Sequence, residues 1–332
     1  MTHLKIHRVI NEGWPRYHTP WITKFTEYLK KFFTIETVNC GDSLKNPSTT
    51  NLLSTNYKFG HEVIISDVDC IIENTSNQEY VVLSFTEYFN NVAVHLLRSD
   101  KCKKMLLTHF NPSYLFDRLK RDDLVSKCSL VSPWFFPPGE EYDPLPYRSL
   151  RKVSKKNEKL FFRGSGVTKS SYRATVSYLL DKFYFLGGVG VVFDEYMKEI
   201  ALSTLGLSHY QDLDKYVTPF DYTGEWCYRD TEYMSVGLPF IRVEFKDTVY
   251  DSIIPGKHYI SIPREYAIEV YKKEGDEGVS RIYEETFFKY KDEKDYLDYI
   301  SQNQTEWFDK NCKWPESAHL TWKLLNLDDW IK

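Results

Sequence analysis

The order of apolar and polar positions along the chain predicts two successive α/β halves. Strand-like runs at 3–10 and 34–39 flank a helical pattern at 21–33, whose apolar residues recur every three or four positions. Thr19 and Pro20 supply a helix N-cap and a proline at the first helical position. This strand–helix–strand opening leaves a polar loop after its first strand, and ligands bind at such loops in open α/β sheets.

A β-hairpin is predicted next: a mostly apolar segment runs from Glu62 to Asn74, a turn follows at 75–78, and a second strand covers 80–85. Asp67 and Asp69 in the first segment form an Asp-x-Asp, which is also a metal and sugar-nucleotide motif in one class of glycosyltransferases. We favour the hairpin, with both carboxylates on its exposed face. The other elements predicted in the first half are helices at 91–98 and 111–120 and strands at 104–109 and 129–136.

The second half begins after a stretch at 137–157 that is rich in proline and then basic, which predicts an interdomain linker. A strand from Lys159 then runs into Arg163-Gly-Ser-Gly166 and a helix at 171–180. Strand, tight turn and helix in this order form a cradle for phosphate groups. Further along the chain we predict a turn at 187–190 that follows a helix, and then a helix at 194–205.

The most informative stretch is a predicted helix at 226–236, which is followed by short strands at 240–245 and 258–262. Arg229 in the first turn could join the helix N-terminus in gripping a phosphate. Glu232 lies one turn further on the same face, where a carboxylate could accept both hydroxyls of a ribose. The alternative is a surface Arg–Glu pair, which is common at this spacing on helices. The remaining predicted helices lie at 264–274, 291–304 and 317–330.

The composition limits the class of protein. A length of 332 residues suits two domains, and a hydrophobic content of 42% is enough for two cores. The six cysteines are scattered without a Cys-x-x-Cys, which argues against a zinc site or a disulfide framework and indicates a reducing compartment. Because no apolar run is long enough to span a membrane and the N-terminus has no signal-peptide core, we expect a cytoplasmic protein.

Charge is distributed unevenly between the two halves. Residues 1–160 carry 22 basic against 18 acidic side chains, whereas the remainder of the chain carries 21 against 29. The first half is therefore mildly basic, and its net charge alone is compatible with an anionic partner.

Several short motifs of the second half occur in a fixed order. They are Arg163-Gly164-Ser165 with Arg173 eight residues after the serine, Tyr228-Arg229 at a helix start, Gly237 to Pro239, Asp251-Ser252, and His258 to Ile260. In this order and spacing they resemble the CAP10-like family of protein O-glucosyltransferases and its viral relatives, with a fainter likeness to exostosin-like enzymes. The resemblance covers residues 159–264, about a third of the chain.

The chain also departs from the family pattern at two places. The serine that precedes the aromatic–Arg pair in the family is Cys227 here. The first half contains no segment that aligns with the acidic catalytic base of the family, so candidates for a base come from their positions alone.

The resemblance implies two Rossmann-like domains that face a cleft (the GT-B architecture), with a C-terminal helix packing back on the first domain. We expect an acceptor domain at 1–145, a linker at 146–158, a nucleotide-sugar domain at 159–310 and the returning helix at 311–332. If the protein is viral, its cytoplasmic location is that of the host.

The implied activity is transfer of a hexose or pentose from a UDP-sugar to a hydroxyl acceptor without a metal or a permanently bound cofactor. The nucleotide sugar is then a co-substrate, and cationic groups stabilise its departing diphosphate. The candidate donor-binding residues are Arg163, Gly164, Ser165, Arg173, Tyr228, Arg229, Glu232 and His258.

An inverting reaction also requires a base across the cleft from these cations. The candidates, in order, are His109, His18 and Asp69. His109 stands where a predicted strand gives way to a loop, a suitable place for a base. The alternative for His109 is a ring hydrogen-bonded by neighbouring backbone.

The acceptor remains open at this stage between a glycan, a protein hydroxyl and a hydroxymethylated base of viral or phage DNA. The last is compatible with the basic first half, including Lys101, Lys103 and Lys104. A protein of another class, a non-catalytic α/β binding module, is a further alternative because a fold does not determine function. Nicotinamide-dependent chemistry is excluded because neither half has a Gly-x-Gly-x-x-Gly after its first strand.

Overall fold

The chain forms two compact units, one built from Met1–Tyr142 with Trp314–Lys332 and one from Asp143–Asp221 with Glu225–Lys313. The computed structural model describes residues 1–9, 19–40, 70–84, 96–107, 122–130, 142–153, 157–164, 174–179, 185–187, 193–209, 228–244 and 252–331. No helix in these ranges is long and apolar enough to cross a membrane.

The first unit contains a mixed sheet with the strand order β2-β1-β3-β4-β5-β6. Strand β3 runs antiparallel to both of its neighbours, and the other adjacent pairs are parallel. The strands are β1 (His3–Val9), β2 (Thr34–Cys40), β3 (Cys70–Asn74), β4 (Glu79–Ser84), β5 (Cys102–Leu107) and β6 (Cys128–Leu130). The helices between them are α1 (Thr19–Leu29) and α2 (Asp122–Val125).

Strands β3 and β4 form the hairpin that the sequence predicts. Their register pairs Cys70 with Leu83 at one end and Asn74 with Glu79 at the other. Gln78 closes the turn in the left-handed region, with φ 60°. The hairpin is confirmed; Asp67 and Asp69 lie outside the described residues, so the position of the Asp-x-Asp stays a prediction.

The C-terminal segment of the chain packs on α1 in the first unit, which confirms the expected returning helix. The segment consists of the helix Glu316–Leu324 and a 3₁₀ turn at Leu327–Trp330. The Trp322 ring stacks on Phe33, with centroids 5.4 Å apart. Trp21 Nε1 donates to Ser317 Oγ at 3.4 Å, which ties the start of the last helix to α1.

The second unit contains a fully parallel sheet with the order β11-β10-β9-β7-β8. Read from the β8 edge, the strands are the second, first, third, fourth and fifth of this unit in the sequence. This order is doubly wound, and its switch point lies between β7 and β9. The strands are β7 (Asn157–Gly164), β8 (Phe185–Gly187), β9 (Ser203–Leu207), β10 (Phe240–Val243) and β11 (Ile260–Ile262). The helices are α3 (Leu145–Val153), α4 (Ala174–Ser177), α5 (Phe193–Ala201), α6 (Tyr228–Val236), α7 (Arg264–Tyr290) and α8 (Lys294–Asn311).

Both faces of this second sheet are buried. An aliphatic core that includes Leu160, Leu205 and Ile241 packs against α7. A group of aromatic rings that includes Tyr233 and Phe240, 5.6 Å apart, packs on the other face. Gly206 lets the Tyr233 ring approach β9, because a Cβ at this position would lie 2.8 Å from Tyr233 Cε2.

Residues 145–153 of the predicted linker form α3, and the linker itself stays a prediction. One local prediction for the second half is wrong. The predicted helix at 194–205 ends at Ala201, and Ser203 begins β9. A parallel strand buried on both faces lacks the alternation that marks exposed strands, so β9 was indistinguishable from the apolar helix before it.

Two further corrections concern glycine-rich stretches. Gly187 was expected in a turn after a helix, but it ends β8 and pairs with Gly164 of β7. Helix α7 continues beyond its predicted end at residue 274 after a break at Gly275, whose φ is 65° and ψ −154°. The chain folds back there, since a Cβ on Gly278 would lie 2.8 Å from Val270 Cγ1.

Candidate active site

The candidate site lies at the carboxyl ends of the parallel strands in the second unit. Helix α6 leads into β10, which is parallel to β9, so the first turn of α6 lies at this edge of the sheet. The Arg229 guanidinium carbon lies 4.3 Å from the centroid of the Phe162 ring. Phe162 stands two residues before the end of β7 at Gly164. The contact therefore joins the start of α6 to the end of β7, beside the switch point.

The described residues include only part of the predicted donor site. Gly164 and Arg163 end β7, where their backbones pair with Gly187 and Leu186 of β8. Tyr228 is the first residue of α6. The candidates that lie outside the described residues are Ser165, Arg173, His109, His18 and Asp69.

Glu232 is buried beside Arg229, which corrects the alternative of an exposed Arg–Glu pair. The residue is 4% exposed, and Tyr196 on α5 donates its hydroxyl to Glu232 Oε2 at 2.7 Å. Burial, reinforced by the Glu232 charge, raises the pKa of Tyr196 well above its ordinary value, and the Arg229 charge opposes that rise. Arg229, Glu232 and Tyr196 are therefore near one another, and the tyrosine stays protonated as a donor.

A buried ion pair anchors the first turn of α6 to β10. Arg242 Nη1 donates to Asp230 Oδ2 at 2.7 Å, and the side chains of Arg242 and Asp230 are 5% and 0% exposed. Arg242 Nε also donates to the carbonyl of Val243 at 3.1 Å. Because the charges are paired in the interior, Arg242 holds the helix in place.

His258, a predicted donor residue, closes a turn. The backbone N–H of Ile254 donates to His258 Nδ1 at 2.8 Å, which leaves the proton of the neutral ring on Nε2. Burial, with a smaller contribution from Lys257, lowers the pKa of His258 to about 4. The ring is therefore uncharged at neutral pH. Any contact with a diphosphate would be a hydrogen bond from Nε2, without a positive charge.

Sequence reasoning missed two polar residues near this edge, the buried His209 and the half-buried Tyr196. His209 follows the end of β9, and its Nδ1 lies 3.3 Å from the hydroxyl of Tyr283 on α7. Tyr196 was missed because only the tertiary fold brings it to Glu232. The sequence pattern does not single out His209, because it predicts a helix over the strand that precedes this residue. The sequence signal for His209 is its place directly after a short apolar run that ends at Leu207, at the start of a polar stretch.

Carboxylate, imidazole and thiolate side chains are the usual protein ligands of metal ions. Within the described ranges, no group of three or more His, Cys, Asp or Glu side chains is placed to hold a metal ion.

Comparison with known proteins finds structural neighbours only. No protein-family model and no curated protein matches the chain. A glycosyltransferase from Rickettsia africae is similar over 97% of each chain, with 10% identity and a TM-score of 0.56. A variant of TarM from S. aureus, solved with UDP, matches 74% of this chain and 50% of its own, with 12% identity and a TM-score of 0.44. An alpha-glucosyltransferase solved with UDP-glucose and DNA matches 98% of this chain and 100% of its own, with 9% identity and a TM-score of 0.44.

The similarity to the Rickettsia structure establishes the fold class. With parallel strands in both units, the chain has the two-Rossmann construction of GT-B glycosyltransferases. None of the comparisons identifies the CAP10-like family, so that resemblance stays a prediction.

Proposed function

We propose that the protein is a glycosyltransferase that binds a UDP-sugar in its second unit and transfers the sugar to a hydroxyl acceptor. The observation that carries the proposal is the contact between Arg229 and Phe162. It joins the Tyr228-Arg229 motif to the strand that leads into Arg163-Gly164, two of the motifs on which the family resemblance depends. The contact lies at a topological switch point, where open α/β sheets bind ligands.

Stacking on an aromatic ring suits an arginine that binds phosphate. The aromatic ring attracts the positive charge of the guanidinium, and the planar fork of N–H donors of an arginine matches the oxygens of a phosphate. The first turn of α6 adds backbone N–H groups and a partial positive charge at the same place. The predicted partners Ser165 and Arg173 would complete the diphosphate contacts.

Glu232 is the proposed contact for the ribose. Its carboxylate is one turn from Arg229, so a nucleotide whose diphosphate meets Arg229 would carry its ribose toward Glu232. An ionised carboxylate accepts hydrogen bonds on both oxygens, and the two ribose hydroxyls are adjacent donors.

The reaction breaks the bond between the sugar carbon and the diphosphate oxygen and forms a bond from that carbon to the acceptor oxygen. Negative charge builds on the departing UDP, and the cations and N–H groups of this site stabilise it. The acceptor hydroxyl loses its proton to a base if the reaction inverts the sugar, and the candidates remain His109, His18 and Asp69.

Titration calorimetry with UDP tests the donor site. We expect Arg229→Ala to weaken UDP binding by about 100-fold, the effect of losing charge-assisted hydrogen bonds to phosphate. Arg281→Ala is the matched control, since Arg281 is an exposed arginine of the same unit that pairs with Glu274 and Glu285. Unchanged UDP affinity in the Arg229 variant would refute the assignment.

A second measurement separates an enzyme from a binding module. Wild-type protein is incubated with a panel of nucleotide sugars without acceptor, and release of free nucleotide is followed. We expect hydrolysis of a UDP-sugar above the background rate. If no sugar is released and UDP does not raise the melting temperature, the binding-module alternative replaces the enzyme.

A further inference from the structure

A cavity of about 390 Å³ lies in the first unit, at the edge of the sheet where β3 ends and β4 and β5 begin. Its lining includes Asn74, Glu79, Lys103, Asn326, Asp329 and Trp330. The first three belong to the sheet, and the last three belong to the C-terminal segment. Thr2 Oγ1 donates to the carbonyl of Trp330 at 2.7 Å, which holds this segment beside the start of β1. Small-molecule sites typically measure about 300–1,000 Å³, so the cavity is large enough for a ligand.

This edge is opposite to the one at which open α/β sheets bind ligands, outside the carboxyl ends of the strands. Strands β4 and β5 run parallel to each other, and both begin at the cavity. Their carboxyl ends therefore lie at the far edge, and the six residues of β4 place about 20 Å between the two edges. The cavity is thus separate from any site at the carboxyl ends of the strands in this unit.

The charges around the cavity are balanced. Lys103 Nζ lies 2.6 Å from Glu79 Oε1, and this hydrogen bond is the largest of the effects that lower the pKa of Glu79. Lys104 Nζ donates to the carbonyl of Ser126 at 3.0 Å, and Asp329 supplies a second carboxylate. Two ammonium groups and two carboxylates leave the lining without net charge, which favours a neutral ligand over a phosphate or a sulfate.

Hydrogen-bond donors and acceptors lie side by side in the lining. Asn74 is 2% exposed, and its Oδ1 accepts from the N–H of Ser76 at 3.1 Å, so its amide NH₂ is the donor that can meet a ligand. A sugar hydroxyl donates one hydrogen bond and accepts two, so one hydroxyl can pair with a carboxylate and with a nearby amide or ammonium group. Glu79 and Lys103 present that combination, and Trp330 adds apolar surface for the C–H groups of a sugar ring.

We propose that this cavity is a binding site for a neutral saccharide. The inference rests on the size, the polarity and the balanced charge of the cavity, and not on the donor site of the second unit. Only its biological role rests on the proposed function: the site would hold part of a glycan acceptor at a distance from the hydroxyl that receives the sugar. That role makes a glycan, rather than a protein or a DNA base, the acceptor.

An array of neutral gluco-, manno- and chito-oligosaccharides, with sulfated counterparts, tests the proposal when it is probed with labelled protein in saturating UDP. The UDP occupies the proposed donor site. We expect neutral oligosaccharides to bind and sulfated ones to bind more weakly, because a sulfate would face two carboxylates and ammonium groups that already have partners. Calorimetry then measures the affinity of the strongest-binding oligosaccharide.

Two substitutions in the C-terminal segment locate the binding. Asp329 is exposed, and Asp329→Ala should weaken binding of that oligosaccharide by about tenfold or more, because hydrogen bonds to a charged group are lost. Asn326→Gly removes an amide and keeps the left-handed backbone, whose φ is 54°, so it should fold and weaken binding about fivefold. The matched control is Glu316→Ala, which removes an exposed carboxylate of the same segment outside the cavity and should leave the affinity unchanged.

The possible results distinguish this inference from the proposed function. The inference is overturned if no neutral oligosaccharide binds, if UDP displaces the bound one, or if both variants bind it as tightly as the wild type. An equal loss in Glu316→Ala and Asp329→Ala would also overturn it. The affinity for UDP is measured on the same proteins, and we expect both variants to keep it. Saccharide binding by a wild type that does not bind UDP would refute the proposed function and leave the saccharide site standing.

Discussion

Two arginines lie near the start of α6, one on the helix and one on β10, and they have different contacts. Arg242 reaches the helix from β10 and forms a buried ion pair with Asp230, at 2.7 Å. Arg229, on the helix itself, is half-buried and lies over the face of Phe162. A charge paired inside the protein serves the fold, whereas the ring contact of Arg229 joins the start of α6 to the end of β7. Under the proposed function, Arg242 acts in the fold and Arg229 binds the donor phosphate.

The strongest way to test this contrast is to remove Arg242. We expect Arg242→Met to destabilise the second unit by about 3–5 kcal/mol, because Asp230 would be left buried without its counter-charge. Urea unfolding followed by circular dichroism measures the loss. The double variant Asp230→Leu with Arg242→Met should recover much of it, since no unpaired charge remains. A loss below about 1 kcal/mol in the single variant would contradict the structural role of the pair.

His258 sharpens the comparison through pH. Its pKa in the folded protein is lowered from 6.5 to about 4 by burial, so between these values an unfolded chain binds a proton that the folded chain does not. The stabilising contribution is fully present above pH 6.5 and decreases as the pH falls toward 4. We expect the urea midpoint of the wild type to fall more between pH 7 and pH 5 than that of His258→Asn. Equal losses in both proteins would contradict the shifted pKa.

The smallest effect is expected at the exposed arginine. Arg281 on α7 forms ion pairs with Glu274 at 2.7 Å and Glu285 at 3.0 Å, with all three side chains at least 45% exposed. Solvent and salt screen exposed ion pairs, so Arg281→Ala should leave the free energy of unfolding almost unchanged. Thermal unfolding at low and high salt checks this expectation. A larger loss would show that exposure is a poor guide to the role of a charge.

The hairpin and the parallel sheet show how far sequence reasoning reaches. Strands β3 and β4 follow one another with turn formers between them, so local signals were enough to predict both strands and their pairing. Strand β9 was missed because its partners β7 and β10 are distant in sequence and both of its faces are buried. Non-local pairing leaves little trace in a local pattern of apolar residues.

The candidate site divides in the same way. Arg229 could be predicted from the sequence because its place in the first turn of a helix follows from local pattern. Tyr196 could not, since its proximity to Glu232 depends on how α5 and α6 pack together. The hydrogen bond between His258 and the backbone of Ile254 could not be predicted either, because it depends on the conformation of the turn between them.

The reversed strand of the first unit has a consequence for how this protein can vary. Strand β3 begins at Cys70, which pairs with Arg8 near the end of β1 and with Leu83 near the end of β4. Because β3 runs antiparallel to β1 and β4, it starts at the edge of the sheet where those two strands end. The chain therefore leaves β1, enters β3 and leaves β4 at the same edge. Connections between strands tolerate insertions and deletions, so changes of length here are compatible with an unchanged strand register.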